Sequence, residues 1–104
     1  MITLRDRARA LEDSYAFEQT IQFRAEARRN KLVGLWAGQL LGKANPIAYA
    51  EEFAVWAVDH HDDQHLLARL REEFSAAEVR FDEADLAGHL HEMLAEVLED
   101  MRAA

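Results

Sequence analysis

The sequence predicts an all-α fold: a compact four-helix bundle carrying an N-terminal helical segment that either docks weakly on it or moves against it. Three observations carry this expectation. No stretch alternates apolar and polar residues as a half-buried strand does. Apolar residues recur instead at steps of three and four in several separate stretches, most regularly over residues 86–101. Stop and start signals (Gly42 followed by Asn45-Pro46, then Asp59 followed by Asp62-Asp63) divide those stretches at the spacing of a bundle.

With 104 residues, 50% of them apolar and 31% charged, the chain reads as one folded domain, residues 1–104. Within it, residues 1–19 form a partner-binding segment and residues 20–104 the bundle. The absence of cysteine excludes disulfides, thiolate metal sites and a cysteine nucleophile. No apolar run is long enough for a membrane span, and Met1-Ile2-Thr3-Leu4-Arg5-Asp6 lacks a secretory h-region, which predicts a cytoplasmic protein. The net charge of −8 is unevenly spread. Residues 1–31 hold seven Lys/Arg against five Asp/Glu, whereas residues 44–104 hold four against fifteen. That acidic surface would repel a nucleic acid, so none is expected as a partner.

Leu4, Ala8, Leu11 and Tyr15 fall on one face of a first helix. The stripe is narrow and then loses phase: positions 18 and 22, where it should continue, are Glu18 and Gln22, while Phe17 and Ile21 lie on a different side. A short helix with so thin a seam is marginal alone. It either docks weakly on its own domain or becomes a stable helix on a partner. No proline or glycine interrupts residues 2–33, so this segment can run into a central helix. Residues 23–43 are the pivotal stretch. Their first half is basic (Arg24, Arg28, Arg29, Lys31) and their second almost wholly apolar (Leu32, Val33, Leu35, Trp36, Leu40, Leu41). A helix apolar nearly all round must be enclosed, and Trp36 is expected to be its most buried residue.

Gly42 ends that helix. Asn45 caps the next, with Pro46 in the first helical position, where its missing donor costs nothing. Phe53, Trp56 and Ala57 form its buried face. Asp62 and Asp63 suit the start of a third helix with Leu66, Leu67, Leu70 and Phe74 inward. Residues 75–81 either extend that helix or tuck Val79 and Phe81 onto the core. The last helix carries Leu86, Leu90, Met93, Leu94, Val97, Leu98 and Met101, with Asp82, Glu83 and Asp85 at its start and Arg102 at its end.

Candidate chemistry is sparse. His61 and His65 are four apart beside Asp62 and Asp63, but His61 precedes the helix and no HExxH pattern exists, so solvated histidines are expected rather than a metal site. His89 and His91 lie on different faces, with Asp85 a surface neighbour of His89. There is no phosphate loop or nucleophile elbow, and no enzyme is predicted. Arg24, Arg28 and Lys31 share a helix face by four-and-three spacing while Arg29 points elsewhere. The basic group is either a solvated surface or a site for a polyanion such as a nucleotide phosphate.

The string Ala25-Glu26-Ala27-Arg28-Arg29-Asn30-Lys31-Leu32-Val33-Gly34-Leu35-Trp36-Ala37, followed by Leu41-Gly42, resembles the signature of the zeta-subunit family. These are small proteins of alphaproteobacteria, with inhibitors of the F-type ATP synthase among them. Asp6-Arg7, Leu11-Glu12, Tyr15-Ala16 and Phe23 also fall where the family places similar residues. The likeness covers residues 4–43 well and weakens afterwards. It implies a four-helix bundle whose N-terminal segment, residues 2–19, inserts between the catalytic subunits of the ATPase head and its rotor and obstructs rotation in the hydrolysis direction. Leu4, Asp6, Arg7, Leu11 and Tyr15 would make that contact, with the alpha, beta and gamma subunits as partners. The protein would sit in the cytoplasm on the soluble head of the membrane-bound synthase, without inserting into the membrane. No cofactor would be required. The resemblance also implies ADP or ATP as a weak regulatory ligand, held by Arg24, Arg28, Arg29 and Lys31. The N-terminal segment departs from the family pattern: Arg5-Asp6 replaces an acidic pair, Leu11 a Phe, and Phe17-Glu18 a His-Asp pair. The alternative is therefore a nucleotide-responsive binding module with weak or no ATPase inhibition.

Overall fold

The computed structural model describes residues 1–60 and 62–103. They form four helices: α1 (Leu4–Leu40), α2 (Pro46–Val58), α3 (Asp63–Ala76) and α4 (Glu83–Ala103). No strand occurs among the described residues, as the absence of alternation predicts. The bundle is built on the C-terminal half of α1, which packs against α2 and α4, while α3 lies against α4. The molecule measures 65 × 26 × 25 Å, and its radius of gyration of 17.5 Å exceeds the ~13 Å of a compact chain this long. The excess length is the N-terminal half of α1, which extends beyond the bundle.

Helix boundaries follow local chemistry. Gly42 takes φ +70 and ends α1. The Lys43 N–H then reaches the Gly38 carbonyl (3.0 Å) and the Gly42 N–H that of Gln39 (3.1 Å), satisfying carbonyls the helix leaves free. Asn45 caps α2 by accepting from the Ala48 N–H, with Pro46 at the first helical position. Asp62 caps α3 through the Gln64 N–H. Helix α3 stops at Ala76 with the same closing pattern as α1, but Glu78 occupies the left-handed position at φ 59, a place that favours glycine. The turn is what brings Val79 and Phe81 onto the core, the second of the two courses open to residues 75–81.

The core joins Val33 and Ala37 of α1, Phe53 and Ala57 of α2, Leu66, Leu70 and Phe74 of α3, and Leu86 and Leu90 of α4. Close approach of α1 to α2 depends on Gly34, since a Cβ there would meet the Ala50 Cα at 2.9 Å. Helices α2 and α3 are joined by Arg69, whose guanidinium lies over the rings of Trp56 (4.7 Å), Phe53 (4.9 Å) and Tyr49 (5.6 Å) and pairs with Glu52. Tyr49 donates its hydroxyl to Glu73, and burial, then that hydrogen bond, push its phenol well above its ordinary range.

Two expectations for α1 need correction. Trp36 is only half-buried, because it forms a wall of an open cleft with Phe74, Phe81 and His89. The apolar half of α1 is not enclosed all round either: α2 and α4 pack along it and Phe74 of α3 meets Trp36, but Leu32 and Leu40 stay exposed. The side chain that is enclosed is Arg29, at 1% exposure.

Candidate functional site: an exposed helical arm

Every residue from 1 to 20 is exposed, although residues 4–20 are helical. At 1.5 Å per residue this arm is about 25 Å long. It holds its conformation without tertiary packing for two reasons. It elongates a helix already nucleated inside the bundle, which removes the cost that makes isolated short helices marginal. Its free end is also capped: the Asp6 N–H donates to Thr3 Oγ1 (3.1 Å) and the Thr3 N–H to Asp6 Oδ2 (3.2 Å). This reciprocal cap is legible in the sequence as Thr3-x-x-Asp6, and it gives Asp6 a definite part in the arm's start. Farther along, Gln19 donates to the Tyr15 hydroxyl and the Thr20 hydroxyl to the Ala16 carbonyl.

The arm presents Leu4 (83% exposed), Leu11 (73%) and Tyr15 (68%) along one row with Ala8. Arg7 projects beside that row into solvent. The structure thus brings Leu4, Leu11 and Tyr15 onto one free surface, flanked by Arg7. The row does not lose its phase at Glu18 and Gln22. It continues through them to Ala25 and Arg29, which are buried, and this is the side of α1 that α4 covers. Helix α4 runs antiparallel to α1 along that row: Arg29 donates to the Leu90 carbonyl (3.3 Å), and Arg102, near the end of α4, pairs with Glu18 (3.0 Å). Beyond Glu18 the row is uncovered.

The four basic candidates separate. Arg24, Arg28 and Lys31 are exposed on the side of α1 away from α2 and α4, with no ion-pair partner among the described residues. Arg29 does not join them. Its NH2 pairs with Asp63 (2.7 Å) and its Nε donates to the Asn30 side-chain oxygen Oδ1 (2.8 Å), so its donors are directed inward. Arg29 ties α1 to the start of α3 and the middle of α4. Sequence reasoning placed it apart from the other three but did not recognise it as buried. The signal was its position one helical step of four from both Ala25 and Val33.

Arg24, Arg28 and Lys31 line none of three surface cavities formed by the described residues. One of about 490 Å³ lies between α1 and α2, bordered by Phe23, Ala27, Val55 and Val58. His60 stacks on Trp56 (4.4 Å between rings), with Nδ1 2.9 Å from the Trp56 carbonyl, and His65 meets His60 edge-on. His89 lies against Trp36, and no ion pair links it to Asp85. The pairing considered for His61 lies outside the described residues, among which no group of three or more His, Asp or Glu side chains is placed to hold a metal.

The fold is thus a helical bundle that carries a capped and wholly exposed helical arm. The comparison with families makes the class specific. The chain belongs to the ATPase inhibitor subunit zeta family, whose family model matches residues 1–100. The match extends over arm and bundle alike, beyond the residues 4–43 that carry the plainest likeness. A comparison with curated proteins found no match. No described helix is long and apolar enough to cross a membrane.

Proposed function

We propose that the chain inhibits ATP hydrolysis by the F-type ATP synthase, its arm entering as a helix between the catalytic alpha and beta subunits and the gamma rotor. The observation that carries this reading is the apolar row Leu4, Ala8, Leu11 and Tyr15 held in the open on a preformed helix. A helix already ordered loses little conformational entropy on entering a crevice, so more of its contact energy remains as affinity. Arg5, Arg7 and Arg9 near the free end, followed by Glu12 and Asp13, offer both charge signs to a mixed surface. The bundle remains outside as the body that keeps the arm from passing through. The protein acts in the cytoplasm, at the soluble head of the membrane-bound enzyme.

Removing residues 1–16 tests this directly. Burial in α1 begins only near Ile21, so the truncated protein should keep its helical bundle and a cooperative thermal transition by circular dichroism. It should fail to inhibit hydrolysis by the purified ATPase. Inhibition equal to that of the full chain would overturn the proposal.

A second reading has its own observation: three exposed cations on one face with no carboxylate partner. Arg24, Arg28 and Lys31 would hold the phosphates of ADP or ATP by charge-assisted bonds on an open surface, without Arg29. In an NMR titration with ADP, shifts should centre on residues 24–31, and Arg28→Ala should weaken binding about tenfold. Indistinguishable titrations would remove this reading.

A further inference from the structure

We infer that two copies of this chain pair through their arms, antiparallel, each arm lying where the other's α4 would continue. The argument begins with the row on α1. Leu4, Ala8, Leu11 and Tyr15 occupy the same side of the helix as Glu18, Gln22, Ala25 and Arg29, with steps alternating four and three throughout. A row of that spacing is the seam of a two-helix pair. Over its C-terminal part the seam has a partner, α4, which runs antiparallel to it and whose Arg102 reaches Glu18. Past Glu18 the seam has none, and this is where it becomes apolar and exposed.

Charge identifies the occupant. Arg5 and Glu12 are two helical turns apart and flank the row on the same side. In an antiparallel pair related by a twofold axis, like flanks meet. With Leu4 opposite the partner's Tyr15 and Ala8 opposite the partner's Leu11, Arg5 of each copy faces Glu12 of the other. The contact is thus complementary twice over, and both copies' rows are covered in full. A parallel pair is excluded by the fold. The row faces the side that α4 occupies, so a parallel second copy would bring its own bundle into α4. The antiparallel copy places its bundle past Leu4, away from the first copy's α4. The seam is thin, and its charged flanks stay wet, so the pair is weak and populates at high concentration.

The inference uses the same arm as the proposed function but does not rest on that function. A chain that stays monomeric and inhibits overturns only the pairing, and a chain that pairs but fails to inhibit even when diluted to monomer overturns only the ATPase reading. Where both hold, pairing hides the row that engages the ATPase.

Sedimentation equilibrium of the full chain from micromolar to millimolar concentration should show the average mass rising toward two copies. Leu11→Asp should remain monomeric throughout. Glu12→Arg should weaken association about tenfold, since two attractions become repulsions, and the double variant Arg5→Glu with Glu12→Arg should restore it. All three positions are exposed and outside the bundle, so none of these changes disturbs folding. Orientation is read from a nitroxide at Leu4→Cys mixed with unlabelled, isotope-enriched chains: broadening should peak near Tyr15. A constant monomeric mass, an unaffected Leu11→Asp dimer, broadening that peaks at Leu4, or broadening centred on Val55 and Val58 in the α1–α2 groove would each overturn the inference.

Discussion

Asp63→Ala should destabilise the protein by about 2–4 kcal/mol, read as a lower urea midpoint at unchanged slope. The substitution leaves the Arg29 guanidinium, 1% exposed, with only the Asn30 side chain and the Leu90 carbonyl. A charge stranded in the interior is the costly outcome. Asp63 itself is 47% exposed, so water can reach the vacated side, which keeps the loss below that of a fully enclosed pair. The contrast with Arg29→Met is the sharper test. Methionine fills much of the same space and strands no charge, so it should cost clearly less than Asp63→Ala, although Asp63 is the more exposed partner. The double variant should resemble Arg29→Met alone, because the two residues share one interaction. Equal costs for both single variants would mean that the pair, not the stranded charge, sets the energy.

Two glycines in helix interiors should respond to alanine in opposite directions. At Gly34 the new Cβ would meet the Ala50 Cα at 2.9 Å and the Phe53 Cβ at 3.0 Å. The first is backbone, which cannot swing aside, so α1 must move off α2. A net loss of about 1–3 kcal/mol is expected even after the gain in helix propensity. At Gly88 of α4 nothing lies within 4 Å. There only the propensity acts, and Gly88→Ala should stabilise by up to ~1 kcal/mol. Thermal melts of the two variants check both signs. A neutral Gly34→Ala would show that the α1–α2 contact is not set by this glycine.

Much of the architecture was legible before any coordinates. Gly42, Asn45-Pro46, Asp62 and Asp82 lie where the helices stop and start, because caps and turns act within a few residues and so are written locally. The uninterrupted run through residues 2–33 left a continuous helix open, and α1 takes that course. What stayed hidden depended on contacts far apart in sequence. Arg29 looks like one more surface cation until Asp63 and the Leu90 carbonyl are brought to it. Trp36 looks like a core residue by size, but the space beside it is an open cleft. Periodicity alone left the arm undecided between docking and projecting. Its exposure is decided by which part of α1 the other helices cover, which only the packed helices reveal.

The arm and the bundle belong to a single helix, and that continuity has a mechanical consequence. Between Leu4 and Val33 there is neither a proline nor a glycine, so α1 contains no built-in hinge where the arm leaves the bundle. The first glycine, Gly34, is already clamped against α2. A load applied at Leu4 is carried along one unbroken ladder of hydrogen bonds into that clamp. The arm therefore behaves as a strut and not as a tether. It can push as well as pull, and whatever resists the tip is resisted by the whole body behind it.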